Sequence, residues 1–194
     1  MKDINIMIVG VGGQGTLLAS RLLGKVMISG GYDVKVSEVH GMSQRGGSVV
    51  TYVRAGASVA SPIIERGEAD LILAFEQLEA ARWLPYLKPD GEVIVNTQCV
   101  DPMPVIIGAA RYPEGVLDGI RAAGARVIEV DALALADEAG SSKAVNVVLI
   151  GRMARQMDFA QEVWLDAIRE TVPPKFLEMN LKAFALGYNN RAIG

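Results

Sequence analysis

Short apolar runs alternate with helical patterns over the first two thirds of the chain. Residues 4–9 form a continuous run rich in Ile and Val, which is typical of a buried strand. Residues 13–29 place apolar side chains three and four positions apart, which predicts a helix that ends at Gly30. The same reasoning predicts strands at residues 34–38, 48–54, 70–75, 92–96 and 126–130, helices at 77–84 and 115–123, and a turn at 88–91.

The pattern changes toward the C-terminal end, where only helices are predicted from Lys143 onward. Asp131 is predicted to cap a helix that runs through Glu138. The proline-containing segment 99–113 before it is predicted to be a loop with one short extended piece, Val105–Ile107. From Lys143 onward, three further helices are predicted at residues 143–157, 161–171 and 174–186.

These elements predict an α/β fold, namely a Rossmann-like, mostly parallel sheet with helices on both faces and a helical C-terminal segment. The first strand, the helix after it and the second strand form a predicted β-α-β unit with a right-handed crossover. No linker divides the 194 residues, so we expect a single domain over residues 1–194. Within it, residues 1–140 are the α/β sheet core and residues 141–194 are the C-terminal helices.

Composition narrows the classes of partner. The formal net charge of −3 and the pI near 5.3 argue against nucleic-acid binding, which requires clustered positive charge. Hydrophobic residues make up 51% of the chain, yet no stretch reaches the roughly 18–20 apolar residues that span a bilayer. The N-terminal residues do not resemble a signal peptide. A cytoplasmic protein without a membrane partner is therefore expected.

The cysteine and histidine counts exclude several kinds of metal site. The chain has one cysteine, Cys99, and one histidine, His40. One thiol can form neither an intrachain disulfide nor the usual four-thiolate iron–sulfur site, and a structural zinc site is equally short of ligands. A metal redox centre that works with this protein must therefore belong to another chain.

The first strand leads directly into a glycine-rich stretch, Gly10-Val11-Gly12-Gly13-Gln14-Gly15. The spacing Gly-x-Gly-x-x-Gly between a strand and a helix fits the dinucleotide-binding pattern, because backbone N–H groups at a helix start attract anions. The same glycines can also serve a tight turn without any ligand, and both interpretations stay open. The predicted ligand-contacting residues of this stretch are Gly10, Gly12, Gly13, Gln14 and Gly15.

Glu38 is the acidic residue at the end of the second predicted strand. A dinucleotide-binding chain uses such a residue on the ribose hydroxyls. The alternative is that Glu38 pairs with Arg45 or Arg54, or lies at the edge of the sheet.

A second glycine-rich stretch spans residues 37–48 and is less generic than the first. Its polar side chains sit between glycines that let the backbone approach a ligand closely, and its arginine suits an anion. Both glycine-rich stretches are expected at the same end of the sheet, where they would form one surface. The further predicted ligand-contacting residues are His40, Ser43, Gln44, Arg45, Gly46 and Gly47, together with Asn96 at the end of another strand.

No catalytic set of side chains is recognisable. The sequence has no nucleophile elbow with a Ser-His-Asp set, no Walker lysine and no metal cluster. We therefore predict no catalytic residue on this chain. Three functions stay open: a non-catalytic subunit of a larger oxidoreductase, a free-standing NAD(P)-dependent Rossmann enzyme, and a nucleotide- or CoA-binding module.

With these motifs in view, the chain resembles the gamma-type subunits or domains of the 2-oxoacid:ferredoxin oxidoreductases. Within that group it is most similar to the small (beta) subunits of indolepyruvate:ferredoxin oxidoreductases. The stretches that carry the resemblance are Gly10–Gly15, Ser37–Ser48, Glu68–Glu76 and Pro174–Phe184.

The resemblance implies a role within a complex. Such complexes convert a 2-oxoacid, coenzyme A and oxidised ferredoxin into acyl-CoA, carbon dioxide and reduced ferredoxin. Thiamine diphosphate, Mg and the iron–sulfur clusters would belong to a large (alpha) partner subunit, through which ferredoxin would be reached, and aryl pyruvates such as indolepyruvate would be the substrates. The resemblance leaves open the stoichiometry, and whether the isolated chain forms a homodimer.

Overall fold

The computed structural model describes residues 2–40 and 47–190. Six strands form one sheet: β1 (Ile4–Val11), β2 (Asp33–His40), β3 (Ser48–Gly56), β4 (Ala69–Ala74), β5 (Leu87–Asn96) and β6 (Arg126–Val130). The helices are α1 (Thr16–Ser29), α2 (Gln77–Trp83), α3 (Met103–Ile106), α4 (Val116–Ala122), α5 (Ala132–Ala139), α6 (Val145–Ala154), α7 (Gln161–Thr171) and α8 (Leu177–Asn189). Single 3₁₀ turns at Leu84–Tyr86, Ser142–Ala144 and Pro174–Phe176 adjoin α2, α6 and α8.

The sheet has the strand order β2-β3-β1-β4-β5-β6. Strands β1, β4, β5 and β6 run parallel, whereas β3 is antiparallel to both β1 and β2. The predicted α/β fold with a mostly parallel sheet is therefore confirmed. Helices cover both faces, because one apolar cluster packs under α1, α5, α6, α7 and α8 and a second packs under α2 and α4.

The β-α-β unit predicted from the first two strands is present, since β1 and β2 run in the same direction and α1 connects them. Strands β1 and β2 are not neighbours, since β3 inserts between them and pairs with β1 from Ile4↔Ala55 to Val11↔Ser48. β2 and β3 are joined through residues 41–47, and this short connection favours local antiparallel pairing. Strand β3 then completes the sheet by pairing its other side with β1.

Two local features differ from the sequence-based expectation. The predicted extended piece at Val105–Ile107 is wrong, because Val105 and Ile106 lie in α3, Ile107 is its C-cap, and the N–H of Ile106 donates to the carbonyl of Pro102. Pro104 lies in the first turn of α3, where a missing N–H costs no helical hydrogen bond. The turn predicted at 88–91 appears inside β5, where Asp90 has a φ of 65° and the register with β4 shifts.

The C-terminal helices form part of the main apolar cluster. All ten residues of α6 are buried, and α8 crosses α6 with glycines at the contact. Among the described residues, no helix is long and apolar enough to span a membrane.

Candidate functional site

The loop between β1 and α1 has the geometry of an anion site. Gly13 and Gly15 have φ angles of 98° and 84°, in the left-handed region that glycine tolerates best. Gly15 is the N-cap of α1, where no side chain caps the helix and no acidic residue lies in the first turn. The N–H groups of Gly13, Gly15 and Thr16 donate to no acceptor in the described part of the chain. Within the described residues, these donors and the helix dipole are therefore available to an anion.

Two of the glycines are required by packing alone. A Cβ on Gly10 would lie 2.7 Å from Gln14 Oε1 and 3.0 Å from Phe75 Cβ. A Cβ on Gly15 would lie 2.5 Å from Asn146 Nδ2. Gly13, by contrast, has open space where its Cβ would be. The fold explains the first and last glycines without a ligand, so the ligand interpretation depends on the cavity above Gly13.

Gln14 and Asn96 hold the carboxyl ends of the strands together. Gln14 Oε1 accepts from the N–H of Val11 at 2.9 Å, and Gln14 Nε2 donates to the carbonyl of Phe75 at 3.2 Å. Asn96 is fully buried, and its Nδ2 donates to the same carbonyl while its Oδ1 accepts from the N–H of Ala132. Both side chains thus use their polar atoms within the protein, and direct ligand contact by either stays a prediction.

A cavity of about 620 Å³ opens above the β1–α1 loop at the carboxyl ends of the parallel strands. We call it the carboxyl-edge cavity. At this point the strand order reverses, because β2 and β3 lie on one side of β1 whereas β4, β5 and β6 lie on the other. Ligands of open α/β sheets usually bind at such a point. Its lining is completed by Gln98, Val100, Leu133, Ser142, Lys143 and Val145.

Lys143 is the functional candidate that sequence reasoning missed. It is exposed, it lines the cavity, and its ammonium group forms no ion pair with any described residue. A cation beside free backbone N–H groups adds charge attraction to an anion site. The signal in the sequence was weak, since a lysine among Ser141, Ser142 and Ala144 reads as the polar start of a helix.

The two glycine-rich stretches meet, as predicted. The N–H of Gly12 donates to the carbonyl of Gly47 at 2.9 Å. His40 ends β2 opposite Val49, which brings both ends of the second stretch to the edge where the cavity opens. Residues 41–46 lie outside the described residues, and so therefore do the predicted site residues Ser43, Gln44, Arg45 and Gly46.

Glu38 lies on the edge strand β2, next to the start of α1. The Thr16 hydroxyl donates to Glu38 Oε1 at 3.4 Å. Arg54 does not pair with it, because Arg54 bonds to Asn5 Oδ1 and to the carbonyl of Ile63. Side chains alternate between the faces of a sheet, and Glu38 is opposite Thr51 whereas Arg54 is opposite Lys35. The suggested Glu38–Arg54 pair is therefore wrong.

The buried carboxylate of Glu76 holds Val100, a residue of the cavity wall, in place. It is only 1% exposed and caps α2 by accepting from the N–H of Glu79 at 2.9 Å. The same carboxylate accepts from the N–H of Val100 at 3.2 Å and from the Tyr112 hydroxyl. Burial and the bond to Glu76 raise the pKa of Tyr112, which keeps the hydroxyl protonated as a donor. Because Val100 lines the cavity, Glu76 fixes part of its shape.

We expect Glu76→Ala to lower the free energy of unfolding by about 3 kcal/mol, because three donors lose their acceptor at a buried position. Tyr112→Phe is the matched control, since it removes one of these donors and leaves the other two bonds. It also removes the acceptor of the Leu78 N–H, at 3.2 Å, so we expect a cost of about 1–2 kcal/mol. Urea denaturation measures both values. Equal losses for the two variants would contradict the central role of the Glu76 carboxylate.

The strand order and the cavity define an α/β protein whose glycine-rich β1–α1 loop opens into a cavity at the point where the strand order reverses. Residues 5–190 match the family of pyruvate ferredoxin/flavodoxin oxidoreductases. The chain is 45% identical to the indolepyruvate oxidoreductase subunit IorB of Thermococcus kodakarensis, over 96% of this chain and 95% of that protein. The chain belongs to this oxidoreductase family, and the resemblance seen in the sequence motifs is confirmed.

Solved structures share the same fold. The gamma subunit of keto/oxoacid ferredoxin oxidoreductase from Geobacter sulfurreducens superposes with a TM-score of 0.71 at 23% identity, covering 95% of this chain and 96% of that one. The 2-oxoglutarate:ferredoxin oxidoreductase of Magnetococcus marinus was solved with 2-oxoglutarate, coenzyme A and succinyl-CoA bound, and it superposes with a TM-score of 0.73 at 19% identity. The superposition covers 97% of this chain but only 31% of the longer Magnetococcus chain. The chain is thus a subunit of the 2-oxoacid:ferredoxin oxidoreductase class, whose members work as complexes.

Proposed function

We propose that this chain is the small subunit of an indolepyruvate or aryl pyruvate:ferredoxin oxidoreductase. The complex would decarboxylate the 2-oxoacid oxidatively and form acyl-CoA. The proposal is supported by the 45% identity to an indolepyruvate oxidoreductase subunit along nearly the full length of both chains. The family assignment favours this function over a free-standing NAD(P)-dependent enzyme or a separate binding module.

The redox cofactors would reside on a large partner subunit. This chain has a single cysteine and a single histidine. Among the described residues, no group of three His, Cys, Asp or Glu side chains could hold a metal ion. The residues therefore do not fit an iron–sulfur cluster or a Mg-diphosphate site, and no step of the chemistry is assigned to them. Thiamine diphosphate, Mg and the clusters are assigned to the partner, which would also contact ferredoxin.

The contribution of this chain would be to bind the anionic end of coenzyme A. The single observation that carries this part is the carboxyl-edge cavity, which is lined by Lys143 and by Gly13 and Gly15, whose N–H groups have no acceptor among residues 2–40 and 47–190. Phosphate oxygens accept from such N–H groups, and a lysine adds a point charge. Val100 and Leu133 offer apolar contact to the rest of the ligand. We propose that Arg45, from the second glycine-rich stretch, adds a further contact to phosphate or carboxylate groups.

Replacing Lys143 tests the coenzyme A proposal. In the complex assembled with its large subunit, Lys143→Met is expected to raise the KM for coenzyme A about tenfold, because one charge-assisted hydrogen bond contributes about 1.5 kcal/mol. The KM for indolepyruvate should stay unchanged, since the oxoacid would bind in the partner subunit. Initial rates with ferredoxin as acceptor measure both constants.

Lys25→Met is the matched control, because it removes an equal charge and breaks only the exposed ion pair between Lys25 Nζ and Glu170 at 3.0 Å. Its kinetic constants should equal those of the unchanged complex. An unaltered KM for coenzyme A in Lys143→Met would refute the assignment of the cavity to this ligand.

A further inference from the structure

The hydrogen bond that joins the two glycine-rich stretches is supported from the side of α2. The N–H of Gly12, which lines the carboxyl-edge cavity, donates to the carbonyl of Gly47 at 2.9 Å. That carbonyl belongs to the same planar peptide unit as the N–H of Ser48, the first residue of β3. A contact that fixes Ser48 therefore also fixes the acceptor that Gly12 uses.

Ser48 is held by a carboxylate of α2. Side chains alternate along a strand, so Ser48 lies on the same face of the sheet as Val50 and Tyr52. This face packs under α2, because Val50 and Tyr52 share an apolar cluster with Ala80. On this face the Ser48 hydroxyl donates to Oε2 of Glu79, the residue before Ala80.

Glu79 is a buried acid, and its exposed ion pair does not account for the burial. The residue is only 3% exposed. Its Oε1 atom pairs with Arg82 Nε at 3.0 Å, but the Arg82 side chain is 52% exposed. An ion pair with an exposed arginine contributes little to stability, whereas burying a carboxylate is costly unless its oxygens accept hydrogen bonds. Away from water, the charge-assisted bond from Ser48 is strong, and it gives the buried carboxylate a structural use.

The first turn of α2 supports the carboxyl-edge cavity at two places. The N–H of Glu79 donates to Glu76 Oε2 at 2.9 Å, and Glu76 Oε1 accepts from the N–H of Val100 at 3.2 Å. Val100 and Gly12 both line the cavity. One turn of helix thus holds a wall residue through Glu76 and the glycine loop through Glu79.

We propose that Glu79 and Ser48 are positioning residues for the coenzyme A site. Neither lines the cavity, so both act through other groups. Glu79 orients Ser48, Ser48 orients the Gly47 carbonyl, and this carbonyl holds the start of the β1–α1 loop at Gly12. An anion site made of backbone N–H groups depends on such support, because hydrogen bonds weaken steeply when donor and acceptor are misaligned. The inference rests on the proposed function, since it takes coenzyme A as the ligand of the cavity.

Replacing Ser48 in the complex assembled with its large subunit tests the positioning role. Ser48→Ala is expected to raise the KM for coenzyme A about fivefold, the equivalent of about 1 kcal/mol, because the loop has lost its anchor. The kcat and the KM for indolepyruvate should stay unchanged, since the chemistry lies in the partner subunit. Ser48→Thr keeps the hydroxyl on a residue that suits a strand, so its KM for coenzyme A should return to that of the unchanged complex.

Arg82→Met is the matched control, because it removes the other partner of the same carboxylate and leaves the bond from Ser48 intact. Its KM for coenzyme A should equal that of the unchanged complex. Glu79→Leu should raise this KM about as much as Ser48→Ala does. The double variant should raise it no further, since both changes break the same bond.

Lys143→Met in the same assay separates this inference from the proposed function. If Lys143→Met raises the KM for coenzyme A and Ser48→Ala does not, the positioning role is overturned and the assignment of the cavity stands. If neither variant changes it, the assignment of the cavity to coenzyme A fails, and the positioning role fails with it. A lower kcat in Ser48→Ala, a rise in both KM values, or the same effect in Arg82→Met would show that the bond only stabilises the fold, which also overturns the positioning role.

Discussion

Gly187→Ala is expected to lower the free energy of unfolding by about 3 kcal/mol or more, because α6 and α8 touch through their backbones. A Cβ on Gly187 would lie 2.0 Å from the carbonyl oxygen of Val148, and a Cβ on Gly151 would lie 2.3 Å from that of Phe184. Real Cβ atoms never approach a backbone oxygen so closely, so one helix must shift. Because every residue of α6 is buried, such a shift disturbs the packing between α6 and the sheet.

Gly119→Ala is the matched control for this prediction. Gly119 lies inside α4, and nothing is within 4 Å of the position where its Cβ would be. Alanine is the better helix former, so this change should be neutral or stabilise by up to about 1 kcal/mol. Chemical denaturation of the two variants gives the difference directly. A loss below about 1 kcal/mol for Gly187→Ala would mean that the helix crossing can relax, which would contradict a rigid backbone contact between α6 and α8.

The second large effect is expected at the start of α1. Gly15→Ala combines a φ of 84°, which disfavours any side chain, with the 2.5 Å approach to Asn146 Nδ2. Asn146 Nδ2 donates to the carbonyl of Gly15, so the collision also breaks a hydrogen bond that anchors the loop to α6. We expect a loss of about 3 kcal/mol in the free energy of unfolding, from backbone strain and overpacking together. Denaturation by guanidinium chloride would measure it.

Two further variants separate strain from collision. Gly13→Ala has a φ of 98° but open space around the new methyl group, so it should cost only the strain of about 1 kcal/mol. In the background of Asn146→Ala the collision is gone, and Gly15→Ala should then cost no more than Gly13→Ala. If the losses in unfolding free energy of Gly15→Ala and Asn146→Ala are additive, the Asn146 side chain moves aside at no cost and backbone strain alone destabilises the Gly15→Ala variant.

The sequence predicted the elements well where local rules decide them. The α7 boundaries, Gln161–Thr171, agree with the helix predicted at 161–171. Asp131 caps α5 as predicted, since its side chain accepts from the N–H of Ala134 at 3.0 Å. The strand predicted at 126–130 is β6. Each of these depends on apolar periodicity or on a cap within one turn, which neighbouring residues specify.

Sequence reasoning was weaker where distant residues decide the outcome. β3 lies between β1 and β2 in the sheet. The pattern of apolar residues within a strand predicts which face is buried, but it does not predict which other strand pairs with it. α3 was missed because prolines at its first turn look like helix breakers. Lys143 was missed as a site residue because only the fold brings the start of α6 to the glycine loop.

The sequence by itself determined the fold class, the family, and the meeting of the two glycine-rich stretches at one edge of the sheet. These follow from short-range patterns of apolar residues, glycines and strand ends, which act through local backbone geometry. Only the tertiary structure decided that Gly10 and Gly15 are needed for packing and that Lys143 joins the carboxyl-edge cavity. Such facts depend on contacts between residues distant along the chain, and they arise when the helices close onto the sheet.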